Sequence, residues 1–315
     1  MLKYLIIQTC DSATSFCHYD NVVSDDKLID LDTLKQALLW SMKENLNVQF
    51  VLPDIRLPKE YEHAIDTIDS AKIASSKSVY TDDADIVVFN SWTDFKDYTL
   101  KKGVTYVIRT SFSDLQSNKR LLSEALPNVD RVNVVLTDAA IMTDVLNESY
   151  SEFLDTIAES VRKEYEAEHL VQLNILTDRL MLNGMNNCNA GWESITLAPN
   201  GNFYVCPAFY FDEEAEPVGS IAEGPKVKNQ QLYQLDHAPI CRNCDAWHCR
   251  RCVWLNKRLT LEVNTPSHEQ CVTSHLERNA SARLLATLKK NNVVSSEIIL
   301  TEEPILDPIE KLLNS

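Results

Sequence analysis

Seven of the nine cysteines of this 315-residue chain fall between positions 188 and 271: Cys188, Cys206, Cys241, Cys244, Cys249, Cys252 and Cys271. Cys10 and Cys17 stand near the start, and the 170 residues between Cys17 and Cys188 contain none. Four of the seven form Cys241-x2-Cys244-x4-Cys249-x2-Cys252. Two thiols separated by two residues can face one ion or cluster, so this spacing points to metal. In a reducing compartment metal also comes before disulfides. Seven thiolates exceed one tetrahedral site, which implies two sites or one bridged site. Zinc and iron–sulfur clusters both accept four cysteines, and on spacing alone structural zinc comes first.

The first 180 positions have a different pattern. Six apolar, β-branched runs recur there: Lys3 to Gln8, Val48 to Leu52, Asp85 to Asn90, Val104 to Arg109, Arg131 to Thr137 and Val171 to Thr177. Near-continuous runs of this kind mark parallel strands buried on both faces. Amphipathic helices are expected between them. Leu31 to Asn45 puts Leu31, Leu34, Leu38 and Met42 on one face, and Ser149 to His169 does the same with Phe153, Ile157, Val161 and Tyr165. A third helix is expected from Pro58 to about Lys72. The class is therefore α/β, a partial (βα)6 barrel with its chemistry at the carboxyl ends of the strands; an open doubly wound sheet is the alternative.

After Arg179 the pattern shortens. Trp192 to Leu197 and Asn202 to Cys206, joined by Ala198-Pro199-Asn200-Gly201, read as a hairpin. The Cys-rich stretch that follows must be held by something other than a large core. Ala280 to Lys290 reads as a helix and the tail as peripheral. The expected domains are 1–180, a barrel; 181–290, a Cys-rich domain; and 291–315, a C-terminal tail.

Composition removes several functions. With 44% hydrophobic and 24% charged residues the chain is a folded protein, and no apolar run is long enough to span a bilayer. Met1 to Thr9 is too short an apolar run for a signal peptide, so a cytoplasmic location is expected. A net charge of −16 argues against nucleic acid as a partner. The six glycines, at 103, 184, 191, 201, 219 and 224, cannot form GxGxxG or GxxxxGK, which excludes nucleotide binding by those loops. Residues 226–290 nevertheless hold 11 Lys and Arg against 5 Asp and Glu. A basic wall suits anionic metal–thiolate clusters, and a solvated basic surface fits the same charges.

Cys188-x12-Gly201-x4-Cys206, then CRNCDAWHCRRC, then Cys271, resembles the SPASM domain found behind the partial barrel of many radical SAM peptide-modifying enzymes. The usual central motif there is CX2CX5CX3C; this chain has CX2CX4CX2C. The resemblance implies two iron–sulfur clusters of the 4Fe-4S type, one on Cys241, Cys244, Cys249 and Cys271, the other on Cys188, Cys206 and Cys252. Strand KYLIIQT runs into Cys10, Thr14 and Cys17, where radical SAM enzymes have CxxxCxxC. Thr14 takes the middle cysteine position, and a hydroxyl replaces a thiolate poorly on iron. The second strand ends in Val51-Leu52-Pro53-Asp54 where those enzymes have a glycine pair. Cleavage of S-adenosylmethionine by the ordinary radical route is therefore not expected. Cys10 and Cys17 read either as a remnant metal site or as two small apolar residues beside a strand. The segment LNILTDRLMLNGMNNCNAGWESITLAPNGNFYVCPAFY, with the cysteine run after it, is similar to the CXXX repeat peptide maturases. That resemblance implies maturation of a small ribosomally made Cys-containing peptide, with the precursor and perhaps-needed second modifying protein as partners and neither nucleic acid nor membrane.

Other residues carry weaker signals. His18, His248, His268 and His275 each have two readings, metal ligand or hydrogen-bonding neighbour of the cysteines, and the second is the commoner. Arg250 and Arg251 could offset cluster charge or contact an acidic peptide. Trp247 and Trp254 are expected to cover the metal site, and Tyr204, Phe209, Tyr210 and Phe211 to form hairpin core. Asp54, Asn90, Arg109, Asp138 and Asp178 stand at predicted strand ends, where they face a barrel site or serve as caps. Two functions compete: a peptide maturase with auxiliary iron–sulfur clusters, and a zinc-stabilised module that presents the peptide to another enzyme.

Overall fold

The apolar runs become strands, with additions. In the computed structural model, which describes residues 2–21, 26–141, 143–212, 215–295 and 297–313, the principal strands in chain order are β1 (Tyr4–Gln8), β2 (Asn47–Val51), β3 (Ser70–Ser75), β4 (Ile86–Phe89), β5 (Thr105–Thr110), β6 (Arg131–Leu136), β7 (Gln172–Leu173), β8 (Ser194–Leu197) and β9 (Phe203–Tyr204). The helices used below are α1 (Leu31–Lys43), α2 (Lys59–Ile65), α3 (Asp144–Glu166) and α4 (His268–Lys290). Together they give a mixed α/β fold of mostly parallel strands, as expected. The chain forms two compact units, Met1–Phe89 with Cys188–His237, and Asn90–Asn187 with Ala238–Ser315. Of the expected tail, Ser296, Asn314 and Ser315 lie outside the described residues, and no described helix is long and apolar enough to cross a membrane.

In the first unit β1 pairs in parallel with β2 on one side and β8 on the other, β2 with β3, and β3 with β4. The expected hairpin forms as the antiparallel pair β8–β9. Its turn closes with Ala198 N–H donating to Asn202 O (3.0 Å) and Gly201 N–H to Ala198 O (3.0 Å), with Gly201 at φ +80°. Alternation sorts the sheet's two faces. Leu5, Ile7, Val48, Phe50, Ile195 and Leu197 form one core with Leu34, Ala37 and Leu38 of α1. The opposite face carries Ile6, Gln49 and Thr196 in register, with Gln8 two residues on. Gln8 and Thr196 are fully buried there, and their side-chain polar atoms have no partner.

Two expectations change in this unit. The buried stripe of α1 is Leu34, Ala37, Leu38 and Ser41, while Met42 is 64% exposed. The helix from Pro58 ends at Ile65, where Thr67 Oγ donates to Ala64 O (2.6 Å), and SAKIAS continues as β3. Ser, Lys and Ala are weak strand formers; parallel neighbours on both sides make this one.

In the second unit β5, β6 and β7 pair in parallel. The run Val171 to Thr177 supplies only two strand residues, because Thr177 Oγ accepts from Leu173 N–H (2.8 Å) and turns the chain. Phe153, Ile157, Val161 and Tyr165 of α3 are buried as expected, and α3 packs on α4. Helix α4 begins twelve residues before the expected start at Ala280, with a capping box at Ser267 and Gln270. The tail is also not peripheral, since residues 302–308 bond to side chains of α4.

The α1 core gives a direct test. Phe203 is fully buried with its ring 5.2 Å from that of Trp40. Phe203→Ala should cost about 3–5 kcal/mol, and Met42→Ala should stay within about 0.5 kcal/mol. Urea midpoints of the two variants check the assignment of the buried face.

Candidate metal centre

Four of the seven clustered cysteines come together. Cys241, Cys244, Cys249 and Cys271 line one cavity in the second unit, with His275, Arg251 and Pro308 also in its wall. The cavity encloses about 410 Å³ of empty space, its open mouth included. Local folding explains the convergence. A single 3-10 turn, Cys241–Asn243, brings Cys244 N–H to Cys241 O (3.0 Å). Ala246 N–H points at Cys244 Sγ (3.4 Å) and Arg251 N–H at Cys249 Sγ (3.5 Å). Arg251 takes φ +46°, so the chain reverses sharply between Cys249 and Cys252. Cys271 and His275 lie one turn apart on α4 and share a face.

Burial pushes these thiols up, to about 11 for Cys244 and about 12 for Cys241, and upward also for Cys249 and Cys271. Metal entering the cavity would have to displace thiol protons. Among the described residues no three His, Cys, Asp or Glu side chains converge tightly enough to hold one ion. A zinc ion draws its sulfurs to about 2.3 Å, whereas a cluster several atoms wide keeps its four sulfurs apart. A cavity lined by four thiols fits the wider group better.

The surroundings carry surplus buried positive charge. Arg179, Arg251 and Arg278 are 3%, 3% and 2% exposed. Arg278 pairs with Asp245 (2.9 Å) and Glu303 (3.2 Å), and Arg179 shares Asp245 at 3.7 Å. The Arg179 guanidinium also lies 3.9 Å from the ring centroid of Trp247. Arg179 Nε and Nη1 and Arg278 Nε have no hydrogen-bond partner. Burial lowers the pKa of Arg179, against the pull of Asp245. Buried guanidinium N–H groups left over beside Cys244 suit an anionic thiolate group in the cavity.

The histidines separate by role. His275 Nδ1 donates to the Leu306 carbonyl, and burial holds its pKa down to about 4, so the ring is neutral with its lone pair on Nε2. That nitrogen lies 3.3 Å from Cys244 Sγ and accepts from the thiol. His248 does not line the cavity. Its Nε2 meets Glu277 Oε2 at 3.0 Å, and Glu277 Oε1 accepts from Tyr150 O–H at 2.6 Å. Burial and then Glu277 raise the Tyr150 pKa well above its ordinary value, so it stays a donor. This buried trio comes from positions 150, 248 and 277, and no spacing signal in the sequence joins them. His268 pairs with Asp307 at 2.7 Å.

The remaining cysteines lie apart from this cavity's lining. Cys252 precedes the helix Val253–Thr260 in the second unit, and Cys188 and Cys206 belong to the first. Cys10 is buried with its sulfur 3.2 Å from Ser12 Oγ, and burial raises its pKa. Thr14 is buried and Cys17 exposed. The aromatic residues around Cys206 fasten this loop: Tyr210 O–H donates to Asp11 (2.5 Å), and Tyr19 stacks on Phe211 at 5.6 Å. Tyr204 packs against Tyr210.

Arg250 and Arg251 face different surroundings. Arg250 is 45% exposed and lies 3.8 Å from Asp178, while Arg251 is buried and donates to Asn187 (3.2 Å). Trp254 is buried, with Arg258 5.2 Å from its ring centroid. The strand-end residues bond locally. Asp54 accepts from Ser75 (2.5 Å), Asn90 from Arg109 (2.6 Å), Asp138 from the Phe112 N–H (3.0 Å) and Asp178 from Arg131 (2.7 Å).

No family model matches the chain, and no curated protein matches it in sequence. Solved structures do match in fold. One is anSMEcpe with bound AdoMet, a radical SAM anaerobic sulfatase-maturating enzyme, at a TM-score of 0.58 and 13% identity, covering 92% of this chain and 100% of that one. Another is native anSMEcpe with bound AdoMet and the Cp18Cys peptide, at a TM-score of 0.55, 13% identity and the same coverage. The fold is thus radical SAM-like. Because both of those structures hold AdoMet, the likeness lends no support to the expectation that AdoMet plays no part.

The His268–Asp307 pair predicts a pH dependence. The hydrogen bond to Asp307 raises the His268 pKa above its ordinary 6.5. The pair therefore stabilises the fold fully below that ordinary value and loses its contribution as pH rises through the raised one. The melting temperature of Asp307→Asn should lie below wild type at pH 6, and the gap should close by pH 9.

Proposed function

We propose that this chain modifies a Cys-containing peptide and holds an iron–sulfur cluster on Cys241, Cys244, Cys249 and Cys271. The observation that carries the proposal is the cavity: four thiols line it, and guanidinium groups without enough carboxylates are buried beside it. A bound cluster would supply electron transfer. The chain's own residues hold and tune the site. Arg179 and Arg278 offset thiolate charge, Trp247 covers Arg179, and His275 takes the Cys244 proton in the metal-free chain. The substrate class is suggested by the fold likeness to an enzyme solved with the Cp18Cys peptide, and a CXXX repeat precursor is the narrower form of the reading. Nothing in it depends on AdoMet.

Protein prepared without oxygen should be brown and contain iron with acid-labile sulfide, and Cys241→Ala should lose most of both. Stoichiometric zinc without sulfide would overturn the cluster and favour the module that presents a peptide to a partner enzyme.

Peptide binding has its own test. Arg250 is the half-exposed cation of the pair, so Arg250→Ala should weaken binding of a Cys-bearing acidic peptide, and more so at low salt than at high. Isothermal titration at two salt concentrations reads this. Equal affinity of wild type and variant at both would place recognition away from Arg250.

A further inference from the structure

The C-terminal segment runs along α4 toward the cysteine cavity. Lys289 Nζ donates to Ile298 O (2.5 Å), and Arg283 to Glu302 (2.7 Å). Asn279 makes a reciprocal pair with the Glu303 backbone, its Nδ2 donating to Glu303 O (2.8 Å) and its Oδ1 accepting from Glu303 N–H (3.1 Å). Arg278 pairs with the Glu303 carboxylate, His275 donates to Leu306 O, and His268 meets Asp307. The helix partners descend from 289 to 268 as the tail partners ascend from 298 to 307, so the tail lies antiparallel to α4.

The lengths match. From Lys289 to His268 the helix covers 21 residues, about 32 Å at 1.5 Å each. The nine steps from Ile298 to Asp307 reach about 31 Å when extended. A tail drawn this straight has little slack, and its contacts hold or release together. Its far end, Pro308, is part of the cavity wall beside Cys271 and His275. The Leu306 carbonyl fixes the ring of His275, which places Nε2 against Cys244.

We propose that residues 298–308 are a strap that closes one wall of the cysteine cavity and sets His275 against Cys244, so that the strap must leave α4 for a thiophilic reagent or metal to enter freely. Only the identity of what enters rests on the function proposed above; the closure concerns the thiols themselves.

The experiment uses the full chain freed of metal with a chelator, and follows alkylation of individual cysteines by N-ethylmaleimide with mass spectrometry. Exposed Cys17 is the internal standard, and buried Cys10 reports unfolding. Glu303→Ala combined with Asp307→Asn should raise the alkylation rates of Cys244 and Cys271 at least about fivefold, with Cys17 and Cys10 unchanged. A stop codon after Thr301 should raise them further. Unchanged rates at Cys244 and Cys271 in the double variant would overturn the strap. If the truncated chain unfolds, shown by reactive Cys10, the double variant decides alone. Iron and sulfide analysis of the wild type is separate, so a strap without a cluster and a cluster without a strap give different results.

Discussion

The second unit depends on an electrostatic balance around the cysteine cavity. Arg179, Arg251 and Arg278 are almost completely buried, and Asp245 with Glu303 supplies the main carboxylate partners of two of them. A buried cation left short of negative charge is expensive. A cavity of four thiols offers the opposite charge once those thiols ionise, which their raised pKa values resist in the metal-free chain. Thiol burial and guanidinium burial thus each become less costly when a positive metal group and its thiolates occupy the space between them.

Helix α4 shows how far this balance shapes the fold. Its buried positions include His275, Glu277, Arg278, Asn279 and Ser281 as well as Val272, Leu276 and Leu284. An ordinary helix hides an apolar stripe; this one hides a polar run in its first half and an apolar one in its second. Each buried polar group has a specified partner: His275 the tail and Cys244, Glu277 Tyr150 and His248, Asn279 the Glu303 backbone, and Ser281 the Leu176 carbonyl. Such networks specify one arrangement, because a slip of one residue would orphan several of them.

The same feature explains what could be read from the chain. The strands β1, β2, β4, β5 and β6 are legible because aliphatic, β-branched runs have few alternatives in a parallel sheet. The Cys241 to Cys252 spacing is legible because thiols two apart on a tight turn face one space. The first half of α4 is not, since its buried face is polar and breaks the apolar period; only Ala280 to Lys290 keeps it. Strand β3 is missed for a related reason, SAKIAS being made into a strand by its neighbours on both sides. The tail looks peripheral in sequence because its contacts are to backbone carbonyls and distant charges, which leave no periodic trace.

The sheet of the first unit shows a milder form of the same conflict. One face of β1, β2 and β8 is an apolar core, while Gln8 and Thr196 on the other are fully buried with polar atoms that bond to nothing described. Replacing either by an aliphatic residue would remove a desolvation cost of about 1–3 kcal/mol, so packing alone gives no reason for amide and hydroxyl there. Both lie toward the carboxyl ends of parallel strands, and β1 leads directly into Cys10. In an α/β sheet that end is where ligands bind, and polar groups kept at a cost to stability mark a surface shaped for contact with something other than the protein's own core.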